Sequence, residues 1–128
     1  MVINYIQILL GSFIPFNSLA SIISHYNRLN PLIEVVSELR NNLGQDFEIN
    51  IADDKSDPSV LSKLYELKCN VIENNGGKGL GGNMNNGLKA INSQYLLSLQ
   101  DDHVIQENIN KAFLHDMVKI MDENKDID

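Results

Sequence analysis

The sequence contains one cysteine, Cys69, among its 128 residues. A single thiol can form neither an internal disulfide nor a zinc site built from several thiolates. A reducing, cytoplasmic location is therefore the default expectation. Because Cys69 leads the apolar run Cys69-Asn70-Val71-Ile72, we interpret it as a buried apolar residue rather than a nucleophile.

Basic residues are also scarce, since 10 Lys and Arg stand against 17 Asp and Glu and give a net charge of −7 at pH 7. Proteins that bind nucleic acid by neutralising its phosphates need a concentrated basic face. This balance excludes nucleic acid as a partner. A small phosphorylated ligand remains compatible with it, because a metal ion and backbone N–H groups can hold phosphate without net positive charge.

The first part of the chain lacks charge altogether. No Lys, Arg, Asp or Glu precedes Arg28, and the longest apolar stretch, residues 8–16, is interrupted by Gly11, Ser12 and Pro15. That stretch is too short to span a bilayer and has no basic region typical of a signal peptide. We expect residues 1–18 to form an N-terminal extension, as an added strand, a lid or a surface segment, and peripheral membrane contact stays open.

Residues 19–128 show apolar patterns that alternate between two periods, as expected for a single domain of strands and helices. The predicted strands are residues 19–24, 47–54, 70–73 and 95–99. The predicted helices begin near Pro31, Pro58, the end of segment 74–82 and Glu107, and the last one is expected to bury Ile109, Phe113, Met117, Ile120 and Met121. Strands that alternate with helices predict an α/β fold, with a mainly parallel sheet and helices on both faces.

Polar residues follow every predicted strand. They are Asn27-Arg28, Asp53-Asp54, the Gly/Asn-rich segment 74–82 and Asp101-Asp102-His103. Ligands of parallel α/β sheets bind beyond the carboxyl ends of the strands. We therefore predict that the four groups converge on one rim of the sheet.

Asp101 and Asp102 come directly after an apolar strand. Adjacent carboxylates repel each other unless a positive charge neutralises them. Mg²⁺ and Mn²⁺ prefer oxygen ligands and commonly bridge carboxylates to substrate phosphates. The pair is thus a candidate metal site, with His103 as a further candidate ligand, and a solvated turn is the alternative. His25 and His115 stand alone in the sequence and receive no role.

Asp53 and Asp54 are candidates to accept hydrogen bonds from a ribose or a base edge, with an acidic turn before Pro58 as the alternative. Segment 74–82 holds five of the chain's eight glycines and a literal G-x-G-x-x-G. It follows the third strand rather than the first, which argues against a dinucleotide fingerprint. We interpret its glycines as permitting close approach of a ligand, with Lys78 available for an anionic group.

Together these motifs resemble the nucleotide-binding half of the family 2 glycosyltransferases, which have the GT-A fold. Residues 20–28 are similar to the family's opening strand and Tyr-Asn-Arg turn, and residues 48–57 to its strand with an Asp-Asp-x-Ser motif. Residues 74–87 resemble its Gly/Asn-rich segment ending in Asn-x-Gly, and residues 95–102 resemble the strand that carries its D-x-D motif.

The resemblance implies a Rossmann-like GT-A fold and a glycosyltransferase. Such an enzyme transfers a sugar with inversion from a nucleotide-diphosphate donor, most often of the UDP type, to a carbohydrate or lipid-linked acceptor. The candidate donor-binding residues are Asn27, Asp53, Asp54, Lys78, Asn85 and Asp101. The implied metal ligands for Mn²⁺ or Mg²⁺ are Asp102 and Asp101, with His103 as a further candidate.

Two residues depart from the family pattern: Gln100 stands at the first position of the D-x-D motif, and Lys55 replaces a small residue. The family's acceptor site and catalytic base lie well downstream, and no carboxylate here matches that base, so the catalytic residue stays unknown. We expect residues 19–128 to be a GT-A-like nucleotide-sugar-binding domain, truncated before the acceptor part. One alternative is a non-catalytic nucleotide-sugar-binding fragment. The other is a dinucleotide-dependent oxidoreductase, an interpretation that leaves the paired aspartates unexplained.

Overall fold

From residue 19 onward, strands and helices alternate along the chain, as the sequence predicts. The computed structural model describes residues 5–8, 19–77 and 79–124. In chain order the elements are β1 (Tyr5–Ile8), β2 (Leu19–His25), α1 (Leu29–Leu43), β3 (Ile49–Asp53), α2 (Pro58–Glu66), β4 (Asn70–Glu73), α3 (Gly79–Ala90), β5 (Tyr95–Gln100) and α4 (Lys111–Glu123).

The strands form one sheet with the order β1-β5-β2-β3-β4. β5, β2, β3 and β4 run parallel, and β1 pairs antiparallel with β5. This confirms the predicted α/β fold with a mainly parallel sheet. Of the predicted extension 1–18, residues 5–8 form the added strand β1, and the rest lies outside the described residues.

Helices cover both faces of the sheet because the strand side chains alternate between them. On one face, Ile23, Ile51 and Leu97 belong to a core that includes buried residues of α1, α2 and α4. On the other face, Ala20, Ile22, Ala52 and Leu96 pack against Met84 and Leu88 of α3 and against Ile91, which directly follows that helix. The predicted two-sided arrangement is confirmed.

α1 keeps its predicted apolar spacing but starts at Leu29, ahead of Pro31. The buried residues are the five expected from the pattern: Leu32, Val35, Val36, Leu39 and Leu43. Gly44 ends the helix with φ 102°, and its N–H donates to the Arg40 carbonyl. A positive φ of this kind favours glycine, which explains the sharp end of the helix.

α4 begins at Lys111, which is later than the predicted start near Glu107. The reason is a side-chain cap: the Asn110 side-chain oxygen accepts a hydrogen bond from the Phe113 N–H at 3.0 Å. Asparagine is among the strongest residues for this role, because it satisfies an N–H that the first helical turn leaves unpaired.

The buried face of α4 also differs from the prediction. Phe113 and Ile120 were expected to face the core but are 36% and 49% exposed. The helix instead buries Leu114, Val118 and Met121, which recur at intervals of four and three residues. Because α4 carries apolar residues on two adjoining stripes, the periodicity alone does not select the stripe that faces the sheet.

Cys69 lies partly buried against the main core. Burial raises the pKa of its thiol, which keeps the thiol protonated and supports the interpretation of Cys69 as an apolar residue. Within the part of the chain that the structure describes, no helix combines the length and apolarity needed to cross a bilayer.

Candidate functional site

The chain changes direction across the sheet between β2 and β5. β3 and β4 follow β2 on one side, whereas β5 lies on its other side. Such a reversal opens a crevice at the carboxyl ends of the two strands, where ligands of open α/β sheets bind. The loops after β2, β3 and β5 therefore meet at one rim, as the strand-end pattern predicts.

A buried hydrogen-bond network joins the ends of β2 and β3. His25 Nδ1 lies 2.8 Å from Oδ1 of Asp53, and both side chains are fully buried. The Arg28 backbone N–H donates to His25 Nε2 at 3.1 Å. Because Nε2 is the acceptor, a neutral His25 carries its proton on Nδ1 and donates it to Asp53.

The Asp53 carboxylate accepts hydrogen bonds from other residues of the protein. The Ser56 hydroxyl donates to Oδ1 at 2.6 Å, and the Ser56 N–H donates to Oδ2 at 2.8 Å. Burial alone would raise the pKa of Asp53, but the hydrogen bonds from His25 and Ser56 outweigh it and lower the pKa below its ordinary value. The structure thus places this predicted donor-binding carboxylate behind the rim, where it positions the loop after β3.

Asn27 ties the turn after β2 to the loop after β3. Its backbone has φ 51°, a left-handed conformation that asparagine tolerates better than most residues. Its N–H donates to the Ser56 hydroxyl at 2.9 Å, and its side-chain oxygen accepts from the Asp57 N–H at 2.8 Å. The side-chain oxygen of this predicted donor-binding residue is therefore engaged within the protein.

Asp54 has the opposite environment. Its N–H donates to the His25 carbonyl at 3.0 Å, which fixes the residue at the carboxyl end of β3. Its Oδ1 is buried and has no hydrogen-bond partner. Buried carboxylate oxygens are almost always paired with a donor, so Asp54 presents an acceptor for a hydrogen-bond donor from a ligand.

Asp101 and Asp102 directly follow β5, and both lie near the guanidinium of Arg28. Arg28 Nη1 is 3.8 Å from Oδ1 of Asp101 and 3.6 Å from Oδ2 of Asp102. Burial raises the pKa of Asp101, although the nearby charge of Arg28 acts in the opposite direction. The Asp101 side chain is 10% exposed and that of Asp102 is 46% exposed, so the pair combines a largely buried inner carboxylate with an accessible outer one.

These two carboxylates suit a hard divalent cation in their chemistry. Within residues 5–8, 19–77 and 79–124, no group of three or more His, Cys, Asp or Glu side chains is arranged to hold a metal ion. Mg²⁺ and Mn²⁺ are commonly held by one or two carboxylates, with water and substrate phosphate as the other ligands. Asp101 and Asp102 fit that mode of binding.

His103 serves the turn after β5. Its ring Nδ1 accepts a hydrogen bond from the Gln100 backbone N–H at 3.1 Å. The His103 backbone N–H donates to the Gln100 carbonyl at 3.2 Å. Burial lowers the pKa of His103. Only Nε2 of the ring is therefore available to a ligand. Among the described residues, His103, Asp101 and Asp102 are not arranged as a three-residue metal site.

The Gly/Asn loop is bound tightly to its neighbours. The Asn74 N–H donates to the Asp53 carbonyl at 3.0 Å, and the Asn74 side-chain oxygen accepts from the Gly76 N–H at 2.6 Å. Gly76 has φ +81°, and a Cβ added there would lie 2.9 Å from Cβ of Lys55. The absence of a side chain at this position lets the loops after β3 and β4 pack together. Lys78, predicted to meet an anionic group, lies outside the described residues.

α3 lies directly on the sheet beside this loop. The Asn83 side chain is buried and donates to the Ala52 carbonyl at 2.7 Å and the Ser24 hydroxyl at 3.1 Å. A Cβ added at Gly87 would lie 2.7 Å from Cδ1 of Ile22 and 2.9 Å from Cβ of Ala52. The Asn-x-Gly motif therefore owes its glycine to close helix–sheet packing.

Asn85 lies away from the acidic pair. It lines a cavity of about 310 Å³ between α3 and the end of β4. The other lining residues are Glu73, Asn74, Asn75, Gly82, Asn86 and Lys89. β2 and β3 separate β4 from β5, so at about 4.8 Å per strand the two regions lie roughly 14 Å apart. The structure does not bring Asn85 together with Asp101 and Asp102.

Sequence reasoning gave His25 no role, and it placed Arg28 at the rim without identifying the carboxylates that Arg28 faces. His25 is isolated in the sequence, and its partner Asp53 lies 28 residues away. Arg28 approaches carboxylates on a strand that comes much later in the chain. The strand-end rule that placed Arg28 applies equally to His25, the last residue of β2, and could have drawn attention to it.

Comparisons with known proteins agree with this architecture. The sequence matches the family model "Glycosyl transferase family 2" over residues 21–127. The structure is similar to the crystal structure of S. aureus TarS 1-349, with a TM-score of 0.64 and 24% identity over 84% of this chain and 33% of that one. A further S. aureus TarS crystal structure gives a TM-score of 0.62 and 24% identity over 82% of this chain and 19% of that one.

A third similar structure is S. aureus TarS 1-349 in complex with UDP, with a TM-score of 0.64 and 23% identity over 84% of this chain and 32% of that one. The chain thus spans about a third or less of the length of these structures. No curated protein matches the sequence. At these identities the structural likeness establishes the fold.

Proposed function

Because the chain belongs to glycosyl transferase family 2, we propose that its crevice binds a UDP-type nucleotide sugar with Mn²⁺ or Mg²⁺. The sugar is then transferred to a hydroxyl of a carbohydrate or lipid-linked acceptor. One observation carries the proposal: Oδ1 of Asp54 is buried at the crevice rim without a donor. The crystal structure of TarS in complex with UDP supports the choice of nucleotide.

Asp54 would recognise the nucleoside. A uracil N–H and the ribose hydroxyls are hydrogen-bond donors, and an ionised carboxylate only accepts. The backbone of Asp54 is held by the His25 carbonyl, so its carboxylate is positioned before the ligand arrives. A hydrogen bond to a charged group is worth about 1.5–3 kcal/mol, which makes Asp54 a major contributor to nucleoside affinity.

Asp101 and Asp102 would hold the divalent cation on the donor diphosphate. The Asp101 side chain is largely buried, whereas Asp102 is exposed enough to reach outward. When bound, such a cation neutralises charge on the departing diphosphate. Arg28, half-exposed beside both carboxylates, adds a positive charge of the protein's own on the same side.

In the proposed reaction, the acceptor hydroxyl oxygen bonds to the anomeric carbon while the bond from that carbon to the diphosphate oxygen breaks. Attack from the face opposite the diphosphate inverts the configuration. The hydroxyl proton passes to a base, and the nucleoside diphosphate leaves with the electron pair of the broken bond. Such a base needs to lie within hydrogen-bond reach of the hydroxyl, and this proposal assigns that role to no residue of the chain.

The proposal is tested by isothermal titration calorimetry of the chain with uridine and with UDP, in Mn²⁺ and in a chelator. UDP should bind more tightly with Mn²⁺, whereas uridine should bind equally in both conditions. Asp54→Asn should weaken both ligands about 10- to 100-fold. Asp102→Asn should weaken UDP alone, and only in Mn²⁺.

Asp116→Asn provides a matched control, because it removes one carboxylate charge from the exposed surface of α4. It should leave every affinity unchanged. An equal UDP affinity in Mn²⁺ and in chelator would contradict the proposal that a metal ion takes part in UDP binding. An unchanged affinity in Asp54→Asn would contradict the proposed contact between Asp54 and the nucleoside.

A further inference from the structure

Arg28 is the cation that faces the acidic pair in the described part of the chain. We propose that Arg28 is a tethered counter-ion, which neutralises Asp101 and Asp102 while the crevice is empty and moves to the donor diphosphate when a divalent cation binds. This inference rests on the proposed function and adds a residue that controls the order and cooperativity of metal and nucleotide binding.

The guanidinium of Arg28 is held only loosely by Asp101 and Asp102. One nitrogen, Nη1, lies 3.8 Å from Asp101 and 3.6 Å from Asp102, and both distances exceed hydrogen-bond length. The Arg28 side chain is 54% exposed. The ion pair with Asp102, in which both side chains are about half-exposed, is therefore weak. Neither aspartate makes the paired, parallel hydrogen bonds that hold arginine firmly on a carboxylate.

The backbone of Arg28, in contrast, is fixed. Its N–H donates to the buried Nε2 of His25 at 3.1 Å, and its carbonyl accepts from the Leu32 N–H at 3.3 Å. His25 is in turn held by Asp53. Movement is therefore confined to the side chain, which can exchange one anionic partner for another nearby without rearrangement of the loop.

Competition between Arg28 and the metal follows from this placement. A divalent cation that binds Asp101 and Asp102 meets a positive charge already there, so metal alone should bind weakly. Donor diphosphate offers the displaced guanidinium new anionic partners, and arginine is well suited to phosphate oxygens. Metal and nucleotide should therefore each strengthen the binding of the other.

The test measures Mn²⁺ affinity by electron paramagnetic resonance in the absence of nucleotide, and UDP affinity in saturating Mn²⁺, for the full chain and for Arg28→Gln. Removing the competing charge should tighten Mn²⁺ binding about two- to fivefold. The same substitution should weaken UDP binding at least threefold. Damage to the fold would weaken both, so the opposite signs identify the counter-ion. Arg28→Lys retains a charge and should restore much of the parent behaviour.

Lys63→Gln is the matched control, because Lys63 forms an exposed ion pair of 3.6 Å with Glu66 on α2. It should change neither affinity. Unchanged or weaker Mn²⁺ binding in Arg28→Gln overturns the inference, as does the absence of Mn²⁺ binding in both proteins. The proposed function is decided separately, by whether UDP binds the parent chain more tightly in Mn²⁺ than in chelator.

Discussion

Asp53 and Asp54 have identical side chains at adjacent positions, but their different surroundings give them different roles. Asp53 accepts hydrogen bonds from His25 and from both donors of Ser56, whereas Oδ1 of Asp54 is buried without a partner. A residue whose bonds are all internal contributes to stability. A residue that keeps a buried acceptor open gives up stability and contributes to binding.

At Asp53 the expected effect is on unfolding. Asp53→Asn should lower the free energy of unfolding by about 2–4 kcal/mol, because an amide cannot accept all three of the buried hydrogen bonds. The measurement is urea denaturation, with Asp116→Asn as the exposed control. A loss no greater than that of the control would mean that the His25–Asp53–Ser56 network does not stabilise the loop.

The difference between the parent chain and Asp53→Asn should also depend on pH. The pKa of Asp53 is lowered in the folded protein from its ordinary value of 3.8, so the unfolded chain takes up the proton first as the pH falls. The stabilisation is therefore present above pH 3.8 and is lost as the pH falls through the lower folded pKa. A difference that stays constant down to about pH 2 would contradict this assignment.

Residues close in sequence were predictable at this scale, and residues joined by the fold were not. Asp101 and Asp102 can be recognised in the sequence as a candidate site because they are adjacent and follow an apolar strand. The pairing of His25 with Asp53 arises from the parallel register of β2 and β3, in which these two residues are direct neighbours. A single sequence contains the two residues but not that register.

Among the elements, α3 makes the closest approach to the sheet, and Gly87 makes it possible. Gly87→Ala should destabilise the protein by about 1–3 kcal/mol, because its methyl group would clash with Ile22 and Ala52 and displace the helix. Gly81→Ala, in the same helix with open space around it, should be neutral or stabilising by up to about 1 kcal/mol. Urea denaturation of both variants is the check, and effects of the same sign would contradict the packing argument.

The type and order of the elements could be predicted from the local sequence pattern. The face that a helix turns toward the sheet could not always be predicted in this way. The strands and helices of residues 19–124 occur in the predicted order, because their apolar residues repeat with the period of the element they form. The buried face of α4 was predicted wrongly at Phe113 and Ile120. Its orientation depends on the cap at Asn110 and on packing against the sheet, which local periodicity does not encode.

For the molecule as a whole, the sheet order predicts an uneven distribution of stability. β2 and β5 each have neighbours on both sides and are largely buried. β4 lies at an edge, and its residues are exposed or half-buried. β3 also has two neighbours and is fully buried. Hydrogen exchange should therefore be slowest in β2, β3 and β5 and markedly faster in β4 and the adjoining α2, where only Leu64 is buried. Equal protection of β4 and β2 would indicate a single cooperative unit instead.

The contact between Gly76 and Lys55 has a consequence for directed evolution of nucleotide preference. Asparagine tolerates the positive φ found at Gly76, but its Cβ would still meet Lys55, whose own φ is 63°. Replacing Lys55 with glycine would remove the obstruction and suit that backbone. Positions 55 and 76 should therefore show epistasis, in which a change tolerated at one depends on the residue at the other. A library that randomises the loop after β4 should vary both positions together, as one combinatorial unit.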